Sequence, residues 1–259
     1  MKRQAKAFIG NNYFIYTLGF IFVFVLWFIL SYTIGKGNYY FPSPIEVFKK
    51  MGEMLSSSYI YESIGWTILR VLIGFGVALI ASFILGLIAG QYKKVYLFLK
   101  PIMLVAKSIP TAALVFLFLV LSGSRWAPTY IVFLVSFPIL YEAIAGGMHN
   151  IPTEVEDSVK LDSNNFFITV LKIKLPLALP YLIIGLTSSF ALSLKTEIMA
   201  EIVTGDTSRG LGCAISSYRI IDPSDLTPIF AIALIALILV LIVDLIGMIV
   251  KKYINIENK

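Results

Sequence analysis

The 259-residue chain is 58% hydrophobic and only 14% charged, with a mean hydropathy of +0.88. A soluble domain carries about 45–50% apolar and about 25% charged residues, and a disordered chain could not leave this much apolar surface in water, so both classes are excluded. Eighteen Gly, eleven Pro and a single Cys exclude collagen-like and disulfide-scaffold chains, which leaves an integral membrane protein whose net charge of +6 has to be read by position.

A helix crossing about 30 Å of hydrocarbon needs about 20 mostly apolar residues. Six stretches qualify: Tyr13 to Thr33, Ile64 to Gly90, Leu97 to Leu121, Pro128 to Gly147, Leu177 to Val203 and Pro228 to Val250. The first follows a basic Lys2, Arg3, Lys6 start, yet it is longer than a signal-peptide core and no A-x-A-like site follows; it reads as an uncleaved anchor. After Pro42-Ser43-Pro44, the amphipathic stretch Ile45 to Leu55 reads as an interfacial helix on the outer face. Down the second span, Gly74, Ala78, Ser82, Gly86 and Gly90 recur every four residues. Small residues at this spacing line one helix face and let a neighbouring backbone approach closely, which is how helices associate in lipid.

With the N-terminus in the cytoplasm, twelve Lys and Arg fall in inside segments, six in outside segments, and Arg70, Lys107 and Lys195 within spans. That bias supports an all-α polytopic protein of six transmembrane helices with both termini cytoplasmic. Residues 1–34 form the anchor, 35–61 an extracytoplasmic connection, 62–252 the core and 253–259 a cytoplasmic tail. The one cysteine, Cys213, excludes an internal disulfide.

The longest cytoplasmic segment runs from His149 to Pro176. Thr153 with Glu156 makes a capping box, predicting a short helix from Glu154 to about Asp162. Ser163-Asn164-Asn165 breaks it, and a second helix is expected from Phe166 to Leu175, stopping before Pro176.

This loop resembles a known one. Asp157-Ser158-Val159, then Ser163, then Ile173-Lys174-Leu175-Pro176 is similar to the E-A-A…G…I-x-L-P loop of ABC importer permeases, the binding-protein-dependent inner-membrane component. The I-x-L-P end matches fully; Asp157 stands for Glu, Ser158 and Val159 for the two Ala, and Ser163 for Gly. Phe41-Pro42-Ser43-Pro44, Leu69-Arg70-Val71-Leu72-Ile73-Gly74-Phe75, Lys107-Ser108-Ile109-Pro110 and Leu175-Pro176-Leu177-Ala178-Leu179-Pro180-Tyr181 resemble segments of the sulfonate, taurine, nitrate and thiamine-precursor branch, in the same order. Ala200-Glu201 and Asp244 fall where that branch has acidic residues.

The resemblance implies a type I ABC importer permease in the bacterial inner membrane, working as a homodimer with two ATP-binding cassette subunits and an extracytoplasmic solute-binding protein. It also implies that Glu154 to Ser163 is a coupling helix seated in the ATPase, with Glu154, Glu156, Asp157, Ser158, Val159, Lys160, Ser163, Ile173, Leu175 and Pro176 as ATPase-coupling residues. Four carboxylates against Lys160 make that helix acidic, so its dock should be basic. Asp157 would lie in its first turn, where the helix dipole favours a carboxylate. The chain itself lacks G-x-x-x-x-G-K-[ST]. No cofactor is expected on it, ATP and magnesium being used by the partner subunit, and neither a nucleic-acid partner nor a metal site is expected, since His149 is the only histidine.

Charges within the spans are costly and invite a partner or a watery path. Arg70, in the outer half of the second span, and Glu201, near the outer end of the fifth, are expected to pair. Lys107, just before Pro110, is expected to snorkel toward the cytoplasmic face. Lys195 and Glu197, two residues apart, point about 200° from one another on a helix. Either one lines the translocation path and the other meets a neighbouring helix, or the span ends early and both lie near the outer surface. The rival classes are an intramembrane enzyme, for which no Ser/His pair shares the spans, and a stand-alone secondary transporter or channel, for which no internal repeat or pair of broken helices is visible.

Overall fold

The computed structural model describes residues 2–34, 41–152, 168–205 and 209–257, and among these the regular structure is entirely helical. In chain order the helices are α1 (Lys2–Ile34), α2 (Pro44–Leu55), α3 (Ser58–Gln91), α4 (Lys93–Ser108), α5 (Thr111–Ser122), α6 (Ala127–His149), a π-helical segment (Ile168–Lys174), α7 (Leu175–Thr204), α8 (Leu211–Ile221) and α9 (Thr227–Glu257). Five of them are long and apolar enough to cross a membrane: α1, α3, α6, α7 with the π-helical turn, and α9. The chain divides into two units, one of residues 1–58 with 217–235 and the other of residues 59–216 with 236–259.

In the first unit, α1 is anchored by the residues after it. Trp27 Nε1 donates to the Pro42 carbonyl at 3.1 Å and Ser31 Oγ to that of Phe41 at 3.2 Å. The Phe41 and Trp27 rings meet Phe230. The expected interfacial helix is α2, which starts one residue earlier, at Pro44, because Ser43 and Glu46 form a reciprocal capping box. That S-x-x-E signal lies open in the sequence and was overlooked in reading it. In the turn before α9, the Asp222 carboxylate accepts from the Ser224 hydroxyl and the Ser224 and Asp225 N–H groups, which hold it below the usual carboxylate range.

The second unit is built on the small-residue row. An added Cβ would lie 3.0 Å from Val132 at Gly74, 2.8 Å from Ile144 at Gly86 and 2.4 Å from Met148 Sδ at Gly90. Each partner on α6 lies the same 58 positions further along the chain, so α3 and α6 run parallel. On its other side α6 packs antiparallel against α7, with Gly147 on Ala178 and Tyr181, Ala143 on Gly185, and Ser136 on Ser193. The middle of the bundle is therefore α6, and the glycine row of α3 is one of its two close-approach faces. Gly86→Leu is expected to destabilise the fold by about 1–3 kcal/mol through overpacking. Gly76→Leu, with nothing within 4 Å of its added Cβ, is expected to be silent. Thermal midpoints of the two detergent-purified variants check the contrast.

Because α3 and α6 point the same way, the chain between them must recross the membrane. It does so through a broken element. The single third span expected from Leu97 to Leu121 is instead two helices, α4 and α5, bent by 90°. The cause is local: Pro110 lacks an N–H and forces Ile109 out of the helical region, to φ −69° and ψ 126°. Counting the bent pair as one span gives six.

A second expectation also changes. The helix predicted to stop before Pro176 does not stop: the π-helical turn Ile168–Lys174 runs directly into α7. Pro176 lies just after that turn, at the second position of α7; its missing N–H removes one helical bond there, at the point where the helical pitch changes from π to α. Val170, fully buried, joins Ile144, Met148, Ala178 and Leu182 in one apolar cluster, and Lys174 is buried as well.

Candidate functional site

The outer end of α7 carries the most elaborate polar assembly in the second unit. Arg70 and Glu201 are 3% and 0% exposed, and Nη1 of Arg70 donates to Oε1 of Glu201 at 2.8 Å. The pairing read from the sequence is present, and the structure adds what surrounds it. Thr67 Oγ1 donates to Glu201 Oε2 at 2.9 Å and in turn accepts from the Leu211 N–H. The Gly212 N–H donates to the same carboxylate oxygen at 2.9 Å, and Arg70 also donates to the Arg209 carbonyl at 2.7 Å.

The backbone is shaped to deliver these donors. The helix α7 ends at Gly205 in the left-handed conformation, and Gly210, at φ +143°, turns the chain back so that the first N–H groups of α8 face Glu201. A Cβ at Gly210 would lie 2.3 Å from Glu201 Oε1, and one at Gly212 would lie 2.6 Å from Glu201 Cβ. Glycine is required at both positions for the carboxylate to reach a helix N-terminus. On the far side, the guanidinium of Arg70 stacks over Trp66, as does that of Arg125, which also lies over Trp126.

Below Glu201 a row of buried polar residues descends α7 every four positions: Glu201, Glu197, Ser193 and Ser189. Ser193 is paired, its hydroxyl 2.6 Å from that of Ser136 on α6. Glu197 is fully buried and, among the described residues, neither of its oxygens has a hydrogen-bond partner; nor does the buried Ser189 hydroxyl. Lys195 lies on the exposed side of the same helix. The helix α7 continues past both residues to Thr204, with Glu197 enclosed and Lys195 on the outside.

Lys107 does not reach for the surface alone. It pairs with Glu142 of α6, both groups being partly exposed. Reading the sequence missed Glu142 altogether, although an acidic residue inside an apolar span was the available signal. At the cytoplasmic end of α6, His149 Nε2 lies 2.9 Å from the Ala89 carbonyl and its ring packs on Tyr96. The helix end that leads into the long loop is thereby tied to α3 and α4. Glu154, Glu156, Asp157, Ser158, Val159, Lys160 and Ser163 lie outside the described residues. Ile173, Leu175 and Pro176 form the continuous junction of the π-helical turn with α7.

Among the described residues the arrangement has three parts. It consists of a close-packed set of membrane helices, a charged latch at the outer end of α7, and a cytoplasmic loop whose return arm is the beginning of the same helix.

The comparisons agree with that description. Residues 82–255 match the model of the family described as binding-protein-dependent transport system inner membrane component. The nitrate import permease protein NrtB of Leptolyngbya laminosa is 29% identical over 206 residues, covering 77% of this chain and 71% of that protein. A Bacillus subtilis (strain 168) protein named as an aliphatic sulfonates transport permease, SsuC, is 22% identical over 179 residues, covering 69% of this chain and 64% of that one. Among solved structures, an amino acid ABC transporter with histidines superposes with TM-score 0.65 at 12% identity, over 78% of this chain and 97% of that one. The MetNI methionine ABC transporter in an inward-facing conformation gives 0.58 at 20% identity, over 72% and 93%. The chain belongs to the family of binding-protein-dependent transport system inner membrane components, the permeases of ABC importers.

Proposed function

We propose that this chain is one of two identical transmembrane subunits of an ATP-driven importer, assembled with two ATP-binding cassette subunits and served by an extracytoplasmic solute-binding protein. ATP and magnesium are bound by the cassette subunits, and this chain moves the solute. The solute is of the sulfonate, taurine, nitrate or thiamine-precursor type, a class suggested by relatives named as nitrate and sulfonate permeases.

The observation that supports this reading most directly is the continuity of the cytoplasmic loop with α7. A force applied to the loop by a closing ATPase dimer enters the π-helical turn, whose Val170 is packed against Ile144 and Met148 of α6. From there it runs without a break along α7, at 1.5 Å per residue, to Glu201 at the outer end. Stiff, close-packed helices transmit displacement because protein interiors have few voids to absorb it.

The test is reconstitution. Co-expressed with its cassette subunit and supplied with its binding protein, the chain is expected to take up solute into proteoliposomes only when ATP is present. Uptake by the purified chain alone, down a gradient and without ATP, would establish a stand-alone carrier instead.

A further inference from the structure

Five residues among those described carry buried polar side-chain atoms without a hydrogen-bond partner, and two of them, Ser189 and Glu197, lie on one face of α7. Their positions are related. Ser189 is four residues before Ser193, which is hydrogen-bonded to Ser136, and Glu197 is four residues before Glu201, which is bonded to Arg70. Two unsatisfied groups thus stand at the same offset, on the same side, from two satisfied groups of like chemistry: a hydroxyl behind a hydroxyl, and a carboxyl behind a carboxyl. Burying such groups unpaired is costly in either case.

We infer that α7 has a second register, displaced by four residues toward the extracytoplasmic side, in which Ser189 bonds Ser136 and Glu197 replaces Glu201 as the partner of Arg70. Four residues of α-helix correspond to about 6 Å of travel and about 40° of rotation, so the same face of α7 is presented again. One-turn displacements of this kind are an established way for packed helices to exchange between two discrete states. Glu201, only three residues from the end of α7, emerges from the outer end of the helix as Glu197 enters the latch. Two close approaches to α6 in the cytoplasmic half oppose the move: Gly147, which packs on Ala178 and Tyr181 and would meet Lys174 and Leu177 after the shift, and Ala143, which packs on Gly185. The shift delivers Tyr181 to Ala143, so α7 must swing away from α6 along this half. Glu197 is a positioning residue in this scheme: it acts through Arg70 and holds the second state. The inference rests on the ATP-driven permease reading, since the loop joined to α7 is what would drive the move.

Disulfide trapping tests it in the complete transporter, reconstituted with its cassette subunits and binding protein. One variant carries Ser136→Cys with Ser193→Cys, the other Ser136→Cys with Ser189→Cys, and Ser136→Cys alone controls for the native Cys213. Linked tryptic peptides are quantified by mass spectrometry after oxidation, without nucleotide and after trapping with Mg-ATP and vanadate. The two cross-links are expected to exchange, each changing at least tenfold between the conditions. E197Q is expected to abolish the exchange and lower transport at least tenfold while leaving the 136–193 cross-link in place. A 136–189 cross-link that is absent, or equal in both conditions, in a transporter that hydrolyses ATP overturns the second register, as does wild-type transport by E197Q. Failure of the wild-type assembly to hydrolyse ATP would instead overturn the permease reading itself.

Discussion

Arg70→Gln and Glu201→Gln, made singly, are each expected to remove most of the folded permease from the membrane, and the double variant is expected to recover part of it. Leaving one member of a buried ion pair without its partner costs about 3–5 kcal/mol, because the remaining charge is enclosed where water cannot reach it. Glu201 is the costlier loss. Besides Arg70 it accepts from Thr67 and from the Gly212 N–H, three donors shared between two oxygens, so the loss of one oxygen leaves at least one of them unsatisfied and loosens the start of α8. A glutamine there keeps one acceptor oxygen but turns an NH2 group toward those donors. Neutralising Arg70 in the same chain removes the uncompensated cation, and the two changes should be non-additive by about 1–3 kcal/mol, as expected of residues in direct contact. Folded yield by fluorescence-detected size exclusion, with thermal midpoints of whatever survives, provides the cycle. Strictly additive losses would mean that the pair is a coincidence of placement.

The second large effect is expected at the cytoplasmic end. Two glycines inserted between Lys174 and Leu175 should leave the transporter able to hydrolyse ATP but cut solute uptake at least tenfold. The insertion adds no charge and removes no side chain. It interrupts the junction through which the π-helical turn continues into α7, and glycine in a helix interior costs about 1 kcal/mol relative to alanine, so the join becomes a flexible hinge. Asp157→Lys and Ser163→Trp should uncouple in the same direction, the first by reversing a charge in an acidic segment and the second by putting a bulky side chain in place of a small one. Hydrolysis and uptake have to be measured on the same proteoliposomes. Parallel loss of both would place the damage in assembly, and unchanged uptake would take the loop out of the coupling pathway.

The spans α1, α3, α6, α7 and α9 were legible because lipid demands about 20 apolar residues with every backbone group bonded internally. The glycine row of α3 was legible for a related reason, since side-chain size every four residues is a one-dimensional record of how closely a neighbour can approach. What escaped reading was the break at Ile109-Pro110: Lys107 and Pro110 mark this stretch as interrupted, but a proline inside an apolar span does not say that the backbone turns by 90° there. The continuity of α7 through Pro176 escaped for the opposite reason: a proline in the first turn of a helix and a proline that terminates one are the same letter.

Charges divide along the same line. Composition and the placement of Lys and Arg were enough, taken alone, to determine a basic, six-span membrane protein and its orientation, because transfer free energies act on each segment independently of its neighbours. They were also enough to mark Arg70, Glu201, Lys107, Lys195 and Glu197 as residues needing an explanation. The pairing of Arg70 with Glu201 could be read from their placement in the spans, but what else meets them and the other charges was decided only in three dimensions. Glu201 is satisfied because Gly210 and Gly212 let α8 start over it, Lys107 is satisfied by Glu142, and Glu197 is enclosed one turn below without a hydrogen-bond partner among the described residues. A hydrogen bond depends on a donor and an acceptor atom coming within about 3 Å, and that distance is set by how the helices pack, across 131 residues of chain for Arg70 and Glu201 and 35 for Lys107 and Glu142, which no local reading of the chain contains.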